Sequence, residues 1–242
     1  GYVDGDEALA YPARILNYHE FIDEIVNGVP ILISYCPLCN SGVVFDRRLG
    51  NRVLEFGNTS ALYQSNAVMY DKQTFSYWFQ ISGDAIVGDL TGQRLEALPT
   101  RVMRWSEWRE TYPKSRVLSR DTGFDRPYDR DPFTNLAEYL NRGSFPFPVG
   151  EDARNPALPA GEQVVGLVIN DEARAYPIAA LQGMVANDEL GGRPVAVAVS
   201  EAGTDWVLSR QVDEQALTFS WDGDVLTDAE TGSRWSPQTG MS

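Results

Sequence analysis

The apolar positions of the chain come in short bursts broken by turn-forming residues, as in a protein built from many short strands. Strands are predicted over 31–35, 42–48, 51–57, 67–71, 75–80 and 85–88, with Gly50-Asn51, Gly83-Asp84 and Gly92 supplying turns. A helix is predicted at the entry to this meander, from Pro12 to Val26. There Ile15, Leu16, Phe21, Ile22, Ile25 and Val26 recur at helical spacing behind a proline suited to a first turn. Two more short helices are expected, over 105–112 (ended by Pro113) and over 136–140, with a strand over 116–119 between them. Strands over 163–169, 194–199, 205–210 and 215–220 then rebuild the same kind of meander.

That return is a degenerate duplication. Asp6-Glu7-Ala8-Leu9-Ala10-Tyr11-Pro12 comes back as Asp171-Glu172-Ala173-Arg174-Ala175-Tyr176-Pro177, with six of seven positions shared. Downstream, Pro30 matches Pro194, Arg47 matches Arg210 and Phe56 matches Phe219. Asp71, Thr74, Ser76 and Trp78 match Asp228, Thr231, Ser233 and Trp235. The expected fold is mainly β with short helices (α+β), two repeats of a helix-plus-β-meander unit, each small barrel- or sandwich-like. The first unit spans 1–120, a Pro-rich connector 121–160, and the second unit 161–242.

The repeat also separates scaffold from site. Both cysteines lie in Tyr35-Cys36-Pro37-Leu38-Cys39-Asn40, where a tight turn between strands is expected. The second copy has roughly Val199-Ser200-Glu201-Ala202-Gly203 there. Gln80 aligns with Pro237 and is likewise confined to the first copy, whereas Trp78 has its counterpart in Trp235 and reads as core.

Three chemistries suit such a turn. In a redox dithiol, Cys36 is the expected nucleophile and Cys39 the resolving thiol. Arg47 or Arg48 would supply positive charge and Gln80 stand close by. His19, the one histidine, is then the candidate base, although Gln182 occupies its place in the second copy and a framework role fits it as well. In a metal site, Cys36 and Cys39 would share Zn or Cu with His19 and Met69, but the chain has no second cysteine pair to complete four ligands. A structural disulfide would close only a tiny loop. A non-catalytic β-scaffold stands as the remaining class. The redox reading, a thiol–disulfide oxidoreductase-like protein without a cofactor and acting on a redox partner or small molecule, is the leading expectation, and Cu or Zn the alternative.

Charge narrows the partners. A formal net charge of −14 and a pI near 4.4 argue against nucleic acid and anionic membrane surfaces, both of which require basic patches. No run of 18 apolar residues offers a transmembrane span.

The quoted residues, together with His19-Glu20, Phe45, Gly57, Ser65-Asn66, Met69-Tyr70, Trp105-Ser106-Glu107-Trp108, Pro113 and Val117 to Gly123, resemble the domain-of-unknown-function family numbered 3179 over nearly the whole chain. Members typically follow Cys-Pro-Leu-Cys with a small residue, often Gly, where this chain has Asn40. The resemblance implies bacterial or archaeal origin and export to the periplasm or cell exterior. It implies no established activity.

Overall fold

The strand pattern is realised as a series of small sheets, almost all antiparallel, and none of them closes into a barrel among the described residues. The computed structural model describes residues 1–154 and 157–237, so 238–242, the end of the expected second unit, lie outside the described residues. The chain forms two compact units, Gly1–Gly161 and Glu162–Ser242. The segment 121–160 belongs to the first, where Tyr128 is buried against His19. No helix of the described residues is long and apolar enough to cross a membrane.

The first unit is organised around the strand Val29–Cys36, which pairs with Phe21–Val26 on one side and Ser41–Asp46 on the other. Leu32 lies in an apolar cluster with Phe45, Phe56, Met69 and Trp78. Ile31, Ile33 and Tyr35 lie in another, with Leu9, Leu16 and Val44. Burial of alternate side chains in two different clusters explains why this stretch reads as a continuous apolar run rather than an alternating one. A second sheet, in the order Asp84–Val87, Tyr77–Phe79, Asn66–Asp71, Phe56–Tyr63, supplies Met69, Trp78 and Phe56 to the first cluster.

One predicted element changes type. The helix expected from Pro12 to Val26 is real only over Ala13–Leu16; Phe21–Val26 is a strand, in register with the central strand from Phe21↔Ser34 to Val26↔Val29. The decisive residues are Asn27-Gly28, both in the left-handed region (φ 49° and 80°), which close a two-residue hairpin. An apolar spacing of 21, 22, 25, 26 fits either structure, and the Asn-Gly turn decides for the strand. The second unit repeats this: Gly191-Gly192, also left-handed, joins Met184–Leu190 to Arg193–Val199.

The duplication is preserved in its hydrogen bonds. Arg47 is 6 % exposed, and its guanidinium donates to three main-chain carbonyls, those of Ile31 (3.0 Å), Leu54 (2.8 Å) and Glu24 (3.2 Å), with Asp23 at 3.6 Å. Arg210 donates in the same way to Leu217 (2.6 Å) and Asp188 (3.1 Å). The Asp71 carboxylate accepts from the Thr74 N–H (2.6 Å) and the Trp78 indole (3.0 Å), and Asp228 does so from Thr231 (2.5 Å) and Trp235 (2.8 Å). Phe56 meets Trp78 edge-on at 5.8 Å, as Phe219 meets Trp235 at 5.7 Å. Trp78, fully buried, is core.

Arg47 thus closes the first unit by satisfying carbonyls of three separate segments. Arg47→Met should destabilise the protein by about 2–4 kcal/mol in urea unfolding, because it strands buried acceptors. The alkylation rate of the folded protein's cysteines should stay unchanged.

Candidate functional site

The two cysteines sit at the end of the hairpin formed by Val29–Cys36 and Ser41–Asp46. Cys36 is the last residue of its strand, opposite Ser41, and a four-residue loop, 37–40, links them. Asn40, at φ 49°, takes the left-handed position that asparagine tolerates, and its side-chain oxygen accepts a hydrogen bond from the Tyr35 hydroxyl at 3.0 Å. The loop is therefore pinned at both ends.

Both thiols are free, and burial distinguishes them: Cys36 has no exposed surface, whereas Cys39 is exposed. The roles expected in chain order do not fit this, since Cys36, the expected nucleophile, is the inaccessible thiol. Around the Cys39 sulfur the donors converge. The Cys36 thiol bonds to it, the Asn66 amide nitrogen lies 2.9 Å away and the Ser41 hydroxyl 3.1 Å. The hydrogen bond from Cys36 is the largest influence, followed in the same direction by Ser41, Asn66 and the Ser41 main-chain N–H. Against the opposing effect of burial, these bring the Cys39 thiol down to about 6. Cys36 is driven the other way, by its hydrogen bond to Cys39, by burial and by the negative charge beside it; the Ala67 N–H opposes this weakly. The two thiols titrate as a pair, and the donors around Cys39 favour the anion on that sulfur over Cys36.

Gln80 completes the arrangement from beneath. Fully buried, it donates through its amide nitrogen to the Ser34 hydroxyl (2.9 Å), which in turn donates to the Val43 carbonyl (2.8 Å). Its oxygen accepts from Asn66 at 3.0 Å and Ser41 at 3.1 Å. The Asn66 amide group thereby uses one hydrogen on Gln80 and the other on the thiolate, while its own oxygen is buried without a partner. A stranded buried oxygen costs about 1–3 kcal/mol, and here it is the consequence of aiming the donor end at sulfur.

Of the other residues singled out in the sequence, Arg47 stands far along the hairpin, committed to main-chain carbonyls, and contributes no charge to the thiols. The ring nitrogen of His19 bonds to the Tyr128 hydroxyl at 2.5 Å, and the ring packs on Phe124; burial lowers its pKa. Met69 is fully buried in the apolar cluster with Trp78. Neither His19 nor Met69 appears among the partners of the cysteines. Among the described residues no three His, Cys, Asp or Glu side chains gather where they could hold a metal ion.

The comparison between copies, which picked out Gln80, carried more than was read from it. By strand register Ser34 corresponds to Ala198, Cys36 to Ser200 and Val43 to Trp206, while Asn66 lies at the end of a hairpin that the second unit closes earlier, at Gly223-Asp224. The second unit has thus lost most of the network, keeping a hydroxyl at the place of Ser41, as Thr204. Trp206 and Trp221 pack edge-on at 5.8 Å there, with Trp221 at the place of Asn58.

Fold and site together define a two-unit β-rich protein with a hydrogen-bonded thiol pair in its first unit. The chain belongs to a family described as proteins of unknown function, DUF3179, whose model matches residues 2–242. No curated protein and no solved structure matches the chain.

Because the thiolate form exists above the depressed pKa, alkylation of Cys39 by iodoacetamide should rise with pH around a midpoint near 6 and level off well below the 9.0 of an ordinary thiol. Asn66→Ala should move that midpoint upward by about one to two pH units. Peptide mapping should find Cys39 modified and Cys36 protected until the protein is unfolded.

Proposed function

We propose that the protein is a thiol–disulfide exchange protein in which Cys39 attacks and Cys36 resolves. The observation that carries this reading is the approach of the Ser41 hydroxyl and the Asn66 amide to the sulfur of an exposed cysteine whose neighbour is a buried thiol. A thiolate near neutral pKa is both abundant and nucleophilic at physiological pH.

The steps follow from the geometry. The Cys39 thiolate attacks one sulfur of a substrate disulfide, forming a mixed disulfide and expelling the other substrate sulfur as a thiolate, which takes up a proton. With the Cys39 sulfur no longer an anion, the charge that held the proton on Cys36 is gone. Cys36 then loses that proton and attacks the Cys39 sulfur. A Cys36–Cys39 disulfide forms and the second substrate thiolate leaves. Two electrons pass from the protein dithiol to the substrate disulfide, and the reverse sequence oxidises a substrate dithiol. Asn66 and Ser41 hold the sulfur while it is a thiolate, and Gln80 is a positioning residue acting through Asn66. The exported setting implied by the family resemblance is the compartment in which disulfide-bonded substrates are common.

The test uses 5,5′-dithiobis(2-nitrobenzoate) as the disulfide. The wild-type protein should release both thiolate equivalents, the second through Cys36. Cys36→Ser should stop at a stable mixed disulfide on Cys39, and Cys39→Ser should not react in the folded state. A Cys39→Ser protein that reacts as fast as wild type would sink the reading. So would a stoichiometric Zn or Cu ion in the purified protein that is lost in the Cys36→Ser/Cys39→Ser double variant.

A further inference from the structure

A cavity of about 500 Å³ lies against the same hairpin; Ser34, Asn40 and Val43 line it, but neither cysteine does. Tyr35 and Gly42, opposite each other in the hairpin, alternate with the pair Cys36 and Ser41, so they belong to the other face of the ladder. The cavity walls there are largely apolar and aromatic: Tyr11, Tyr35, Met103, Trp105 and Trp108. Its volume lies in the range of small-molecule sites.

Charge selects among ligands. The chain carries 34 acidic residues against 20 Lys and Arg, yet no acidic side chain lines this cavity, while Arg14 and Arg101 do. Arg14 lies on the short helix Ala13–Leu16 and is exposed; the acidic group it influences is Asp129, which is itself paired with Arg120. The second unit keeps Tyr11 as Tyr176 but not the rest of the pair that would seat a ligand: Arg14 corresponds to Ala179 and Tyr35 to Val199. Like the thiol network, the cavity is a property of the first copy.

We propose that this cavity binds a small planar apolar molecule bearing one acidic group, its ring system among Trp105, Trp108 and Tyr35 and its acid on Arg14. The site is independent of the thiol chemistry, and its test does not rely on that chemistry.

Gly42 provides the blocking variant. A Cβ built there would meet the Val102 side chain at 3.4 Å and the Tyr35 ring at 3.8 Å, ordinary contact distances, so a longer side chain is accepted by the backbone and enters the cavity. The probe is 8-anilinonaphthalene-1-sulfonate, an aromatic anion, compared with the neutral N-phenyl-1-naphthylamine. Wild-type protein should bind the anion saturably, at one molecule per chain, and more tightly than the neutral amine. Arg14→Leu, at an exposed position, should weaken the anion about 5-fold and leave the amine unchanged, the size expected for one partly exposed ion pair. Gly42→Leu, shown to be folded by its melting curve, should lose both. Equal affinities for the two probes in wild type, an anion affinity untouched by Arg14→Leu, or unaltered binding to folded Gly42→Leu would each overturn the proposal. The Arg14→Leu comparison decides the matter even if Gly42→Leu does not fold.

Discussion

The thiol site depends on the direction of a hydrogen-bond chain that begins at a main-chain carbonyl. The Val43 oxygen can only accept, so Ser34 must donate to it, and the Ser34 oxygen is left to accept from Gln80. That orients the Gln80 amide, whose oxygen faces Asn66 and Ser41, and Asn66 is in turn compelled to present its nitrogen to sulfur. A flipped amide at either residue would set acceptor against acceptor. The polarity of the site is thus inherited from the strand ladder, and a thiolate at Cys39 completes the chain with the acceptor it requires. The Ser41 hydroxyl, within reach of both the sulfur and the Gln80 oxygen, can turn from one to the other as the thiol gains or loses its proton.

The duplication shows what this arrangement displaces. Both units keep the arginine that ties three segments together and the aspartate that binds a threonine N–H and an indole. They keep the edge-on Phe–Trp pair as well. A frame of that kind folds without the site, because the second unit carries Ala198 for Ser34, lacks the hairpin end that bears Asn66, and fills the region with Trp206 and Trp221. Aromatic filling buries fewer polar groups than a set of amides, which must find every partner. Each unit still leaves a polar atom of this region buried without a partner, the Asn66 oxygen in the first and the Trp206 indole nitrogen in the second.

Much of this was legible in the sequence because strand periodicity, turn residues and repeat spacing are local signals. The central strand, the Cys36–Cys39 turn, the second-unit strands near 163–169, 194–199 and 205–210, and the scaffold role of Trp78 follow from them, whereas the strands Glu172–Pro177, Met184–Leu190 and Val225–Asp228 do not. The entry helix failed because the apolar spacing of Phe21, Ile22, Ile25 and Val26 satisfies two periods, and the weight of Asn27-Gly28 as a hairpin closer was overlooked. Arg47 could not be placed by sequence distance: it follows the thiol strand, but its side chain is spent on carbonyls at the opposite end of the ladder. Asn66 reaches Cys39 from 27 positions away through the pairing of a different sheet, and periodicity carries no such information. The available clue is that the second copy lacks this end of the hairpin.

The donors gathered on Cys39 bear on which way electrons run. Each of those hydrogen bonds favours the sulfur as an anion, and a disulfide sulfur is a poor acceptor for them. Forming a Cys36–Cys39 bond would therefore forfeit stabilisation that the dithiol state enjoys from Asn66 and Ser41. A couple whose reduced member is the better solvated by its own protein has its potential raised. On the proposed chemistry, this fold leans toward accepting electrons, an oxidant of other proteins' thiols rather than a reductant of their disulfides.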